Sequence, residues 1–333
     1  MEAFLYDKLE SGAVKCRLCG WRCTIQPGKR GVCNVRENRN GTLESLVYGR
    51  AISYAVDPIE KKPLYHFHPG AFTFSIATVG CNFRCNFCDN WSISQERQIV
   101  GDLMLPEEVV FNAQRMKCSA ISYTYTEPTI FFEYAYDTAK FARSEGLLNT
   151  FVTNGFMSPE AIDMVSPYLD AATVDFKGSA DPAFYKNFCG ITSVEPIFDS
   201  LLEMKRKKIF IEITNLIVPG EGDGKEPYKK LLNWILDNLG PDTPLHLLRF
   251  FSSYRYEGTE TTQPSLLEEY WQMASDAGFH YVYLGNAPGH KYENTRCPSC
   301  GKMVIERFGF EVAKIHLTGK RCAFCGHEIN IIL

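Results

Sequence analysis

The sequence predicts an α/β fold: a partial (β/α)6 TIM-like barrel, set between an N-terminal Cys-rich β module and a C-terminal zinc-ribbon-like module. Three observations carry this expectation. Residues 71–290 alternate short apolar strands with amphipathic helices. Eleven of the 13 cysteines fall into three tight groups. Those groups stand before, at the start of, and after the alternating region, which divides the chain into 1–70, 71–290 and 291–333.

The strands of the middle region are expected at Phe72–Val79, Ala120–Tyr125, Leu148–Thr153, Ala171–Phe176, Ile209–Val218 and Leu245–Phe251, with His280–Leu284 able to extend the edge. They are rich in β-branched and aromatic residues and almost continuously apolar, as suits a sheet covered on both faces. Helices are expected between them. Pro106–Lys117 opens with proline and two acids, and Pro128–Ser144 runs into Gly146. Ser158–Tyr168 opens on a capping serine followed by proline, and Val194–Lys208, Tyr228–Leu239 and Pro264–Ala277 complete the set. Strands separated by helices pair in parallel, and such folds place their chemistry at the C-terminal ends of the strands. In the N-terminal region, Leu43–Tyr48 and Ala51–Val56 read as a strand pair turning at Gly49-Arg50.

The composition is that of an ordinary globular protein, with 45% apolar and 22% charged residues. The net charge of −4 argues against nucleic-acid binding through a generally basic surface. No apolar stretch reaches the roughly 18 residues of a membrane span, and the first residues lack a secretion signal, so a cytoplasmic protein is expected. In a reducing compartment, clustered thiols read as metal ligands.

The group that carries chemistry follows the first middle-region strand: Cys81-Asn82-Phe83-Arg84-Cys85-Asn86-Phe87-Cys88. Three thiolates are one short of a closed structural zinc site. They suffice to hold three irons of a [4Fe–4S] cluster and leave the fourth open. A zinc knuckle completed by a remote ligand such as His66 is the competing reading. The C-terminal pairs Cys297/Cys300 and Cys322/Cys325, each followed by glycine, suit a tetrahedral zinc, with rubredoxin-like iron as the alternative. Cys16, Cys19, Cys23 and Cys33 suit either one zinc or a second iron–sulfur cluster. Arg17, Arg22, Lys29, Arg30, Arg36 and Arg39 make that region basic, which reads as solvated surface or as a docking face.

The C-x3-C-x2-C spacing at the end of a first strand resembles the radical S-adenosylmethionine (SAM) superfamily. Asp57 to Phe67, Cys81 to Trp91 with Ile93-Ser94, and Tyr123 to Pro128 resemble one branch of it, the AmmeMemoRadiSam-system family, which is similar to pyruvate formate-lyase activating enzyme. The resemblance implies a [4Fe–4S] cluster on Cys81, Cys85 and Cys88, with SAM chelating the open iron. It implies reductive cleavage to a 5′-deoxyadenosyl radical that takes a hydrogen atom from a substrate. It places Phe87, Glu127, Thr153, Asp175, Lys177, Asn215 and His246 around SAM. Where relatives carry Gly-Gly-Glu-Pro, this chain has Tyr125-Thr126-Glu127-Pro128, and side chains replace the glycines. His246 and Arg249 differ by three positions, so a regular strand turns at most one of them inward. A low-potential donor, flavodoxin or ferredoxin, is implied, as are Memo-like and AMMECR-like protein partners. Activation of a glycyl radical protein is an alternative within the class; a non-catalytic iron–sulfur or zinc adaptor is an alternative outside it. Segment 54–70 is the expected lid.

Overall fold

The computed structural model describes residues 1–256, 258 and 260–333. Its centre is an eight-stranded sheet: β1 (Ser53–Pro58), β2 (Phe72–Ala77), β3 (Ala120–Tyr123), β4 (Leu148–Thr153), β5 (Ala171–Lys177), β6 (Phe210–Ile217), β7 (Leu245–Arg249) and β8 (Val282–Gly285). The spatial order is β8-β7-β6-β5-β4-β3-β2-β1. Neighbours from β2 to β8 pair in parallel, and β1 alone runs antiparallel, against β2. The connecting helices are α1 (Pro106–Arg115), α2 (Phe132–Ser144), α3 (Pro159–Val165), α4 (Glu195–Arg206), α5 (Lys225–Asn238) and α6 (Pro264–Ala277). Each follows its strand, so six strand–helix units lead to the final strand β8. The Ser158 hydroxyl accepts from the Ala161 amide at the start of α3, and Gly278 ends α6 in the left-handed region.

The N-terminal strand pairing differs from expectation. No hairpin turns at Gly49-Arg50. Arg36–Arg39 pairs with Thr42–Ser45 instead, across Asn40-Gly41, whose φ values of +53° and +86° are those of a tight two-residue turn. The apolar run after Gly49 joins the central sheet as β1. Except for Lys29, the basic residues from Arg17 to Arg39 have acidic partners, Arg17 pairing with Asp7. Arg22 pairs with Glu160, Arg30 and Arg39 with Glu37, and the buried Arg36 makes a two-pronged pair with Glu133 at 2.9 and 2.8 Å.

The expected lid is a buried floor. After β1 the chain crosses one face of the sheet towards β8. The Lys62 carbonyl accepts from Thr173 on β5, the His66 amide donates to Glu212 on β6, and Tyr65 packs edge-on against His246 and Tyr283. His66 bonds Tyr283 at 2.5 Å and the Asn330 carbonyl at 2.6 Å, so it ligates nothing near the first cysteine loop. From below, Arg307 donates to the Tyr65 carbonyl, and the Ile332 amide donates to the His66 carbonyl. Among the described residues no helix is long and apolar enough to cross a membrane.

Burial holds the His66 imidazole neutral, down from an ordinary 6.5 to about 4. The unfolded chain takes up this proton near pH 6.5 and the folded chain refuses it until near pH 4. The contribution is therefore complete above 6.5 and is lost as the pH falls towards 4. Between pH 7 and pH 5, wild type should lose about 2 kcal/mol more unfolding free energy than His66→Gln, measured by anaerobic urea titration.

Candidate active site

A cavity of about 550 Å³ opens over the sheet face above this floor, within the size range of small-molecule sites. Period-two alternation brings Thr173, Asp175 and Lys177 of β5, Thr214 and Leu216 of β6, and His246 and Leu248 of β7 to one face, and their register aligns them across the strands. The loop leaving β2 forms the rim, and Cys81, Cys85 and Cys88 all line the cavity. Gly80, at φ +96°, makes the turn into this loop. A Cβ there would lie 2.7 Å from Val35 and 3.0 Å from the Cys33 carbonyl, so only glycine lets the N-terminal region approach so closely.

The three thiols sit in a desolvated setting. Burial and then Glu127 push Cys81 well above its usual value, and burial raises Cys88. Cys85 is raised first by a hydrogen bond with Cys189 and then by burial. Cys189 stands behind Cys85 and does not line the cavity, so it leaves the cavity side of the trio open. The Asn82 side-chain nitrogen beside Cys81 is buried with no partner, as expected of a donor awaiting an acceptor such as a cluster sulfur. Among the described residues, only the C-terminal cysteines bring three or more ligand atoms within 4.8 Å of one another. The trio is thus spread wider than the ligands of one ion. These residues fit a [4Fe–4S] group, in which each cysteine binds a different iron.

Glu127 is the anchor of the wall. Its buried carboxylate accepts from the Thr129 amide and hydroxyl, the Thr153 hydroxyl at 2.7 Å and the Asn154 amide at 2.8 Å. The Asn154 side chain in turn donates to Asn82 at 2.7 Å, tying the end of β4 to the cysteine loop. Tyr125 takes φ +62°, the left-handed conformation for which glycine is suited. Its hydroxyl bonds Asp57, which also pairs with Lys61 and Lys62 at 2.7 Å each. Burial alone would raise the Asp57 carboxyl, but these donors hold it well below the usual range. Burial brings the Lys62 ammonium down to about 8. The Lys62 ammonium also stands 4.4 Å from the centre of the Tyr125 ring.

Phe87, Glu127, Thr153, Asp175, Lys177 and His246 all line the cavity. Asn215 does not: it lies on the opposite sheet face, between Thr214 and Leu216, and bonds the Ser179 amide and hydroxyl. There it pins the turn after β5, where Ser179 has φ +59°. His246 sits low in the cavity, held by Glu212 at 2.8 Å. Arg249 lines the cavity as well, because it closes β7 and its long side chain reaches round the strand end. Lys62, from the segment expected as the lid, and Tyr125 and Asn154, from the strand-end motifs, also line the cavity.

At the far end of the chain, Cys297, Cys300, Cys322 and Cys325 bring their sulfurs together. Cys297 to Cys325 is 3.6 Å and Cys300 to Cys322 is 3.8 Å. Zinc–sulfur bonds of about 2.3 Å set tetrahedral sulfurs about 3.8 Å apart.

A family model described as the radical SAM superfamily matches residues 75–235, from within β2 through the cysteine loop to α5. The chain belongs to the radical SAM superfamily. It is 44% identical over 336 residues to the uncharacterized protein MJ0808 of Methanocaldococcus jannaschii, covering 100% of this chain and 99% of that one. It is 23% identical over 304 residues to a GTP 3′,8-cyclase of Actinobacillus pleuropneumoniae serotype 5b, covering 84% and 83% of the two chains. The structure of a radical SAM methyltransferase from Sphaerobacter thermophilus shares the fold, with TM-score 0.50, 14% identity, and 66% and 68% coverage. This radical SAM protein is an enzyme of the α/β class with a central, mostly parallel sheet.

Replacing Glu127 by Ala strands several buried donors at once. Glu127→Ala should cost about 2–4 kcal/mol in anaerobic denaturant unfolding, and Glu127→Gln, which keeps an acceptor oxygen, should cost less.

Proposed function

We propose that Cys81, Cys85 and Cys88 hold a [4Fe–4S] cluster with one open iron, and that the enzyme cleaves SAM reductively to take a hydrogen atom from a substrate. The observation that carries this reading is the trio itself. Three thiols of one loop line a large cavity at strand C-termini and are spread too widely for a single ion. When bound, the cluster supplies the electron that splits the sulfonium of SAM.

The chain's own residues do the positioning. Phe87 packs against Phe184 and Phe250 and offers an aromatic wall for the adenine. Asp175, fixed by Thr214 at 2.5 Å and by Lys177, offers carboxylate oxygens to ribose or ammonium groups. Glu127 works through Thr153 and Asn154 and shapes the wall. We read the sheet as a partial barrel, with the buried segment from Ile59 to Phe67 closing its bottom and keeping water from the radical. Lys62 and Tyr125 face the cavity from that side and suit a substrate bearing an anionic or carbonyl group.

The division into 1–70, 71–290 and 291–333 is our working one, with β1 lent by the first part to the sheet. The C-terminal sulfur tetrahedron is proposed to hold zinc. Radical SAM enzymes need a reductant; flavodoxin or ferredoxin is proposed here. Membership of the AmmeMemoRadiSam system, with Memo-like and AMMECR-like partners, rests on the motifs around Asp57, Cys81 and Tyr123.

Anaerobically reconstituted enzyme with SAM and dithionite should release 5′-deoxyadenosine. Cys81→Ala should lower that release at least about a hundredfold and leave the C-terminal metal in place. Turnover that survives the substitution overturns the cluster assignment. Deuterium transfer into deoxyadenosine in the presence of a Memo-like protein tests the partner.

A further inference from the structure

The N-terminal cysteines form a second site of a different kind from the C-terminal one. Cys16, Cys19, Cys23 and Cys33 surround one small cavity, whose other walls include Trp21, Ile25 and Ile130. Cys16 ends a short strand that pairs with Thr24–Ile25, and its amide donates to the carbonyl of Cys23 just before that partner strand. Yet the four sulfurs, unlike those at the C-terminus, are not mutually within 4.8 Å. Four ligands of one tetrahedral ion must be that close. Four ligands of a cubane bind four different irons and must stand further apart.

A second, independent observation points to a charged, sulfur-rich occupant. Arg36 lines the same cavity and is 1% exposed. Its two terminal nitrogens are taken by Glu133, but its Nε is buried with no partner. A buried N–H is left unpaired at a cost unless something accepts from it. A thiolate or sulfide of an anionic cluster is such an acceptor, and an arginine offsets its charge.

We propose that Cys16, Cys19, Cys23 and Cys33 hold a second, fully cysteine-ligated [4Fe–4S] cluster and not a mononuclear zinc or iron. Having no open iron, it cannot take SAM. It is coupled to the catalytic loop through short contacts. Trp21 donates to the Asn82 carbonyl at 2.8 Å, Arg84 donates to the Val32 carbonyl, and Cys33 abuts Gly80.

The test uses the full chain with Cys81, Cys85 and Cys88 all changed to Ser, reconstituted anaerobically with iron and sulfide. About four irons and about four acid-labile sulfides per chain should remain, with the Mössbauer signature of a cubane. Adding Cys19→Ser to this variant should remove them. Retention of only zinc or single iron, with no labile sulfide, overturns the proposal. Should the triple variant fail to fold, the wild type decides. About eight irons per chain supports a second cluster and about four overturns it. Cys19→Ser alone should keep about four irons and deoxyadenosine release, which separates this site from the catalytic one.

Discussion

The buried carboxylate of Glu127 is the contact on which the site depends. It ties the end of β3 to the end of β4 through Thr153 and Asn154. Asn154 carries the link to Asn82 in the cysteine loop, and the Asn82 carbonyl receives Trp21 from the N-terminal region. One line of hydrogen bonds thus runs from the cavity wall, through the loop that bears Cys81, Cys85 and Cys88, to the N-terminal cysteine region. This line positions the loop that bears the three sulfurs, and one of its members, the Asn82 side-chain nitrogen, is left without a partner among the described residues.

The three cysteine groups differ in how closely the fold gathers their sulfurs. At the C-terminus two glycine-ended knuckles fold each pair inward until the sulfurs nearly touch. In the other two groups the thiols line the wall of a cavity and leave its interior free. Each group contains one cysteine pair separated by two residues, and the groups differ in how far the backbone brings the sulfurs together.

Much of this was legible in the sequence. The six strand–helix units follow from apolar runs and capping residues, because both signals are local. The cysteine groups follow from spacing alone. Pairings between distant segments were not legible. β1 finds β2 and not its sequence neighbour, and the Asn40-Gly41 turn outweighs Gly49-Arg50 because two successive left-handed residues favour the tighter hairpin. Asn215 shows the limit of motif transfer. Alternation already separates it from Thr214 and Leu216, but only the packed sheet says which face borders the cavity. Asp57 shows the converse, since its partners Lys62 and Tyr125 come together only once the floor is in place.

The floor carries a consequence for how the molecule assembles. Its middle is secured by residues near 307, 330 and 332, more than 240 positions along the chain from Tyr65 and His66. Contacts of such separation are slow to form because the intervening chain must first be ordered. During synthesis the sheet can be complete from β1 to β8 while its underside is still unsealed. For that interval the cavity lacks the contacts that Arg307 and Ile332 make beneath Tyr65 and His66, so the last stretch of chain to be made is the one that fastens the chamber's underside.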